Sequence, residues 1–485
     1  MNTKMIVRFL SNLALVECAF FSPPLLLSLY DRDMVTAQAF LLSMCILLVA
    51  SLLLRLCSKG SDNRFYAREG YFLVGSAWIL MSIAGALPFY FSGQIPSFLN
   101  AFFEAVSGFT TTGLTVLSDL SQVSRGLLLW RSLTNWLGGM GILVLLLAVA
   151  KERKGRGHTL HVLRAESPGP SVEKVVPRMH SHAQTLYAVY LGLSAALLVI
   201  LLLLRTPVFD AVNIALSTAG TGGFGVRNSS MMDYSAAVQL AVMVFMILFG
   251  VNFNLHLLSF TGHWKTAFKD EELRVYLGMM LVSAAAVCFN VMHLFESLGQ
   301  ALLHSSFTVA AIMSSTAFVT VDFNLWPSFS KMVLLLLMLV GASAGSTGGG
   351  MKVSRCLILL KDLRRSLQKL LRPRTVKLVR LNGKPVDEAV VDGVFLYAVC
   401  HVMILLGATL LVSLDNFSFE STFSAVISCT SNMGPALGEM VGVRANYAGF
   451  SPLSKVVLAA CMLLGRLEIF PYLVFLNRKA WNRAR

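Results

Sequence analysis

The sequence has 485 residues, 56% hydrophobic and only 13% charged, with a formal net charge of +15 and a mean hydropathy of +0.69. A soluble domain of this length would carry roughly 25% charge, which excludes an ordinary soluble enzyme or nucleic-acid-binding domain. Crossing a bilayer as a helix takes about 20 mostly apolar residues, and in chain order such stretches are read at 8–30, 35–57, 70–91, 124–150, 183–204, 234–260, 273–293, 328–351, 390–413 and 453–476. Lys4 and Arg8 precede the first stretch, as in a signal peptide. Pro23 and Pro24 interrupt it, however, and no small-residue cleavage site follows, so a retained first helix is expected. Basic residues cluster in alternate loops: with Lys4 and Arg8, segments 55–69, 151–182, 262–274, 352–384 and 478–485 hold 31 of the 40. That pattern is an orientation signal and places both termini in the cytoplasm.

After two leading helices (1–65), the chain repeats one plan four times, over 66–165, 166–265, 266–385 and 386–485. A long apolar helix is followed by a short half-apolar stretch, a Thr/Ser/Gly-rich loop and a second long helix. The short stretches resemble one another: Phe103-Glu104-Ala105-Val106, Phe209-Asp210-Ala211-Val212, Phe423-Ser424-Ala425-Val426 and, more weakly, Phe307-Thr308-Val309-Ala310. Each is too short to span the bilayer. The expected fold is an all-α polytopic membrane protein. Non-helical backbone at membrane depth must be buried in protein or line a water-filled cavity, so four such loops imply one shared pathway on a pseudo-four-fold axis.

The loops are Thr110–Thr115, Gly220–Phe224, Ser314–Phe318 and Thr430–Pro435, centred on Gly113, Gly222, Ala317 and Gly434. Backbone carbonyls and hydroxyls are the oxygen ligands that replace water around a potassium ion. Glycine admits the left-handed backbone that turns successive carbonyls toward one axis. No carboxylate lies in these loops, so selectivity would come from dipoles. Glycines that merely allow close helix packing are the alternative, and that reading suits Gly138, Gly139 and Gly141.

Further along, Gly341–Gly350 should break the second helix of the third repeat, and a break at membrane depth should face the pathway. A phosphate-binding loop would need lysine directly after the glycine, but Met351 intervenes before Lys352. The Gly220–Gly225 run mimics a dinucleotide fingerprint without a βαβ unit to carry it. Arg466 lies within the last apolar span, at a cost of about 2.5–3.5 kcal/mol, and should face the interior or a cavity. It either pairs locally with Glu468, snorkels, or sets a positive charge near the ion path. Asn252, Asn254 and His256 either face the pore or bond across helices. Glu104 and Asp210 are expected to cap their helices, or else to gather cations at the outer mouth. The eight cysteines are read as small buried apolar residues, and His158, His161, His180 and His182 as part of a solvated cytoplasmic loop. A membrane-embedded enzyme would need an apposed nucleophile and base, and the spans offer only isolated groups such as Glu17 and His401.

In this order and spacing, several motifs together make the chain resemble the Trk/Ktr/HKT superfamily of potassium transporters, specifically its TrkH-type membrane subunit, over essentially its whole length. They are Ser107–Gly113, Trp136–Gly141, Ser217–Phe224, Asn252–His256, Gly341–Lys352, Ser431–Pro435 and Gly465–Glu468. The resemblance implies a potassium-binding filter of Thr111, Thr112, Gly113, Thr221, Gly222, Thr316, Ala317, Asn432, Met433 and Gly434. It implies gating by an intramembrane loop containing Gly345, Gly348, Gly349 and Gly350, together with Arg466. Ala317 stands where the family pattern has glycine, which keeps a sodium-conducting or weakly selective transporter as the alternative. The resemblance further implies a bacterial inner-membrane location, potassium as the transported ion, transport by a channel or coupled to sodium or protons, and no cofactor in this chain. Its expected partners are a second copy, as a homodimer, and a cytosolic TrkA-like nucleotide-binding regulator.

Overall fold

The computed structural model describes residues 3–58, 67–141, 179–374, 377–442 and 446–472. Helices α1 (Thr3–Phe20) and α2 (Ser22–Tyr30) together make one 28-residue apolar span. Pro23 and Pro24 occupy the first turn of α2, where the missing N–H has no helical partner to lose. Helix α3 (Met34–Cys57) starts on Asp33, whose carboxylate accepts from the Thr36 N–H at 3.1 Å.

Four units follow. The first holds α4 (Ala67–Phe91), α5 (Phe98–Phe109) and α6 (Arg125–Gly139). The second holds α7 (Met179–Leu203), α8 (Val208–Gly220) and α9 (Ala236–Phe249), continued by α10 (Phe253–Phe260) and α11 (Trp264–Phe268). The third holds α12 (Glu271–Val291), α13 (Leu298–Met313), α14 (Ser328–Val340) and α15 (Val353–Leu371). A short hairpin, Arg380–Leu381 against Lys384–Pro385, leads to the fourth: α16 (Glu388–Val412), α17 (Phe419–Ser431) and α18 (Pro452–Arg466).

The short helices α5, α8, α13 and α17 have 12, 13, 16 and 13 residues. At about 1.5 Å per residue none reaches the roughly 30 Å of a hydrocarbon core. Large apolar side chains such as Leu48, Leu281, Leu406 and Leu410 are exposed on the outer faces of α3, α12 and α16, the faces that lipid covers in a bilayer. The centre inverts this pattern: Ser107, Thr110–Thr112, Ser217, Thr218, Thr221, Ser314–Thr316, Ser428 and Thr430–Asn432 are all buried. Buried polar groups at membrane depth mark the loops, and the rest of the fold encloses them.

Three expectations are corrected. The stretches 124–150, 234–260, 328–351 and 453–476 are not continuous spans. Each second helix stops after 15, 14, 13 and 15 residues respectively. Only the third was expected to break. Gly141 (φ +73°) follows α6, the chain bends 99° between α9 and α10, Gly341 (φ +75°) ends α14, and Glu468 and Ile469 both take positive φ beyond α18. Second, the Phe-Glu-Ala-Val likeness is out of register: measured from the loops, Phe209 lies about one helical turn before the position of Phe103. Third, only one of the two acids sits at a helix start. Asp210 lies in the first turn of α8, where the dipole favours a negative charge, whereas Glu104 is the seventh residue of α5. The cysteines divide as well. Cys18, Cys288, Cys429 and Cys461 are buried, but Cys45 and Cys57 are exposed on the lipid-facing α3. His158 and His161, and the side chains of His180 and His182, lie outside the described residues.

Candidate ion pathway

The four loops share one backbone pattern. Each short helix ends in a left-handed residue: Thr111 (φ +55°), Thr221 (+54°), Ser315 (+59°) and Asn432 (+51°). Two residues on, each loop has a second: Gly113 (+80°), Gly223 (+67°), Ala317 (+62°) and Gly434 (+86°). The hydrogen bonds repeat in the same register. The N–H groups of Thr112, Gly222, Thr316 and Met433 donate to the carbonyls of Ser107, Ser217, Ala311 and Ser428 at 2.8–3.0 Å. Alternating left-handed residues turn consecutive carbonyls to one side of the chain, which is what a carbonyl-lined ion site requires. The C-terminal ends of α5, α8, α13 and α17 also meet here, and their dipoles favour a cation.

The register moves two sequence assignments. Gly223, not Gly222, matches Gly113 and Gly434; Gly222 occupies the ring of Thr112, Thr316 and Met433. Ser315 belongs to the ring of Thr111, Thr221 and Asn432. Adjacent glycines hid the first. The second is legible only from the distance to the end of the preceding helix.

Side chains behind the loops hold them in place. Arg131 and Glu104 form a buried ion pair at 2.7 Å. Glu104 also accepts from the Thr115 hydroxyl at 3.0 Å and the Val116 N–H at 2.9 Å. Arg131 reaches the Gly225 carbonyl at 3.3 Å and lies over the Phe224 ring, so this one pair ties the outer ends of the first two loops together. The Asn135 amide, oriented to satisfy both of its ends, donates to the Gly108 carbonyl at 2.8 Å and accepts from the Phe224 N–H at 3.2 Å. The Asn432 amide bridges the fourth loop to the Thr112 hydroxyl at 2.9 Å. Asp210 accepts from Arg227 at 2.7 Å and from the Tyr234 hydroxyl at 2.8 Å. Outside the membrane segments, Asp119 accepts from Asn228 at 2.7 Å. Hydrogen bonds from Ser121 and Asn228 hold its carboxyl down at about 2, so this link between loops persists until the pH falls that far.

Below the loops, Gly341–Lys352 crosses the pathway as an irregular segment. The Gly349 N–H donates to the Ser315 hydroxyl at 2.7 Å. A Cβ on Gly349 would strike the Ser431 carbonyl, and one on Gly348 would come within 2.9 Å of the Ser314 carbonyl. The segment therefore lies directly under the third and fourth loops. Its polar groups are satisfied by the break between α9 and α10: Ser343 N–H to the Gly250 carbonyl (3.1 Å), the Thr347 hydroxyl to the Phe249 carbonyl (3.1 Å) and the Phe253 N–H to the Gly345 carbonyl (3.0 Å). Asn252 caps α10 through the Asn254 N–H, and His256 meets the Leu248 carbonyl at 2.9 Å. Asn252 and His256 thus staple the break by bonding, and Asn254 takes part through its backbone N–H.

Both ends of this segment hang on one carboxylate oxygen. Glu272 accepts from the Ala344 N–H at 2.7 Å and the Ser354 N–H at 3.1 Å. Losing a buried acceptor costs about 1–3 kcal/mol. Glu272→Ala should therefore loosen the segment and raise basal rubidium uptake several-fold. Glu272→Gln, which keeps an acceptor oxygen, should stay near the parent rate. Equal uptake in all three proteins would show that the Glu272 contacts do not govern this segment's effect on transport.

Arg466 joins every part. Its guanidinium donates to the Thr347 carbonyl at 2.8 Å and the Gly139 carbonyl at 2.6 Å, also binds the Gly138 carbonyl, and lies 3.4 Å from the Thr111 hydroxyl. The last carbonyls of α6 lack helical partners. Arg466 takes two of them, Tyr190 takes that of Trp136, and Tyr187 takes the Gly141 carbonyl just beyond the helix. The Glu468 carboxylate pairs with Arg355, which stacks over Tyr397, and Lys352 folds back on the Gly348 carbonyl. The small residues of α6 act in packing: a Cβ on Gly138 would meet the Phe109 carbonyl, and one on Gly139 would come within 2.7 Å of Gly220. Among the described residues no three His, Cys, Asp or Glu side chains are grouped as metal ligands.

A family model described as TrkH, cation transport protein, matches residues 36–482. The chain is 34% identical over 495 residues to the Trk system potassium uptake protein TrkH of Vibrio parahaemolyticus, covering 99% of this chain and 100% of that one. It is 31% identical over 490 residues to the TrkH of Salmonella typhimurium, with the same coverage. Against the crystal structure of the potassium transporter TrkH from Vibrio parahaemolyticus the TM-score is 0.89, at 31% identity over 99% of this chain and 100% of that chain.

Proposed function

Because this chain belongs to the TrkH family of cation transport proteins, we propose that its function, potassium uptake across the membrane, runs through a selectivity filter formed by the four loops. The observation that carries this reading is the four-fold recurrence of paired left-handed residues at Thr111/Gly113, Thr221/Gly223, Ser315/Ala317 and Asn432/Gly434. The family is one of cation transporters rather than enzymes. Potassium sheds water into the carbonyl rings and is drawn inward by the membrane potential, worth about 2.3 kcal/mol per charge per 100 mV. The segment from Gly341 to Lys352, with Gly345, Gly348, Gly349 and Gly350 in it, is the gate, and Arg466 holds it shut against the filter.

The protein lies in the bacterial inner membrane with both termini in the cytoplasm, as the alternate loading of basic loops supports. It works as a homodimer with a cytosolic TrkA-like regulator that carries the nucleotide, and basic segments 352–384 and 151–182 supply the surface for that regulator. Expression in a bacterium stripped of its potassium-uptake systems should restore growth at limiting potassium. A membrane-inserted protein that fails to do so would count against the reading.

A further inference from the structure

Residues 250–272 form a strap whose two ends both hold the segment under the filter. At one end the Gly250 carbonyl accepts from the Ser343 N–H, and the Phe253 N–H donates to the Gly345 carbonyl. At the other end Glu272 accepts from the Ala344 and Ser354 N–H groups. The two ends meet: a Cβ on Gly250 would strike the hydroxyl of Tyr276, one turn beyond Glu272 in α12. Whatever fixes the strap therefore acts on the segment from Gly341 to Lys352.

Between those ends the strap has the make-up of a membrane-surface element. Helix α10 leaves α9 at 99°, so it runs along the bilayer rather than across it. Phe260 closes α10, Trp264 and Phe268 share one face of α11, and all three are more than half exposed, at 71%, 54% and 59%. Of α11 only Ala267 is buried. Large aromatic rings with one wet end settle at the membrane–water interface. Lys265 and Lys269 are exposed beside these rings, with the Lys265 Nζ 5.6 Å from the centre of the Trp264 ring. The acids that follow are engaged elsewhere. Asp270 caps α12 and accepts from Asn382 at 2.7 Å, Glu271 pairs with Lys361, and Glu272 holds the gating segment. An outward face that combines apolar rings with lysines is complementary to acidic headgroups, which attract such segments electrostatically.

We infer that the strap is a binding surface for anionic lipid of the cytoplasmic leaflet, and that lipid seated on it holds the gating segment shut. A ligand shifts a protein toward the conformation that it fits. Here the aromatic and cationic face is presented while Gly341–Lys352 lies across the pathway, so lipid bound to that face favours the closed arrangement. The inference rests on the reading of Gly341–Lys352 as the gate.

The test is basal rubidium uptake by the full chain in vesicles where phosphatidylglycerol progressively replaces phosphatidylethanolamine. Parent uptake should fall about fivefold, an effect within reach of two lysines at an anionic surface, and the response should shrink at high ionic strength. The double variant Lys265→Glu with Lys269→Glu should lose the response and keep the higher rate. Fluorescence of the parent minus that of Trp264→Phe isolates Trp264, which brominated phosphatidylglycerol should quench more than an equal fraction of brominated phosphatidylethanolamine. Equal quenching by the two lipids, or uptake indifferent to lipid charge, overturns the inference. So does an amine crosslink joining Lys265 or Lys269 of two copies, which would give this face to the homodimer. Glu272→Ala keeps the two readings apart. If it raises uptake while lipid charge does nothing, the lipid surface fails and the gate stands; if neither changes uptake, the gate reading fails too.

Discussion

Arg466→Ala raises basal potassium uptake at least about tenfold, the largest gain expected of any single change. Two terms act in the same direction. Removing the guanidinium frees the Thr347 carbonyl and the end of α6, unpinning the gating segment. It also removes a positive charge 3.4 Å from the Thr111 hydroxyl at the base of the filter. Two unit charges about 6 Å apart repel by roughly 3 kcal/mol at an effective dielectric near 20, enough to depopulate an inner ion site about a hundredfold. The opposing term is loss of the hydrogen bonds to the Gly138 and Gly139 carbonyls, about 1–3 kcal/mol for each acceptor left unmet, a cost to stability that a thermal melt reads separately from uptake. Arg466→Lys separates the terms, because it keeps the charge and loses the fork. Its uptake should fall between parent and alanine. Unchanged flux in a folded Arg466→Ala protein would mean that the residue is structural only.

Arg131→Met has the opposite sign and abolishes uptake. It strands the Glu104 carboxylate in a dry interior, and breaking a buried pair from one side costs about 3–5 kcal/mol. The Thr115 and Val116 contacts that fix the outer end of the first loop depend on that carboxylate. The double change Glu104→Gln with Arg131→Met leaves no buried charge, and the glutamine oxygen still accepts from Val116. It should recover most of the thermal stability in detergent and part of the uptake. A double variant as unstable as Arg131→Met would show that the pair stabilises through packing rather than charge.

Much of this was legible in the sequence, for identifiable physical reasons. Long apolar runs read directly as spans, and short ones followed by Thr/Ser/Gly loops read as re-entrant helices because backbone at that depth must be satisfied. The pathway, its four loops and the special status of Ala317 came from those rules and from the family resemblance. The breaks were less legible. The run Gly341–Gly350 announces one, but at the end of α18 the positive φ falls on Glu468 and Ile469, between Gly465 and Pro471, weaker signals than a glycine run. The Arg355–Glu468 pair there joins residues 113 apart, a contact that no local pattern announces. The Glu104–Arg131 pair was missed because 27 residues separate its members, and an acid near a helix start reads locally as a cap. The Gly222/Gly223 register was ambiguous because either glycine can adopt a positive φ. The positive φ at Gly223 together with the hydrogen bond from Gly222 N–H to the Ser217 carbonyl decides between them.

The most direct measurement is uptake of radiolabelled rubidium into proteoliposomes containing the purified protein, with the membrane potential set inside-negative. Saturable uptake that follows the potential and is competed by external potassium is the predicted result, with Gly113→Ala and Gly434→Ala abolishing it, because a Cβ at either position would collide with a neighbouring loop's carbonyl. Uptake no greater than that of protein-free liposomes, or uptake that survives both substitutions in folded protein, would contradict a pathway through the four loops.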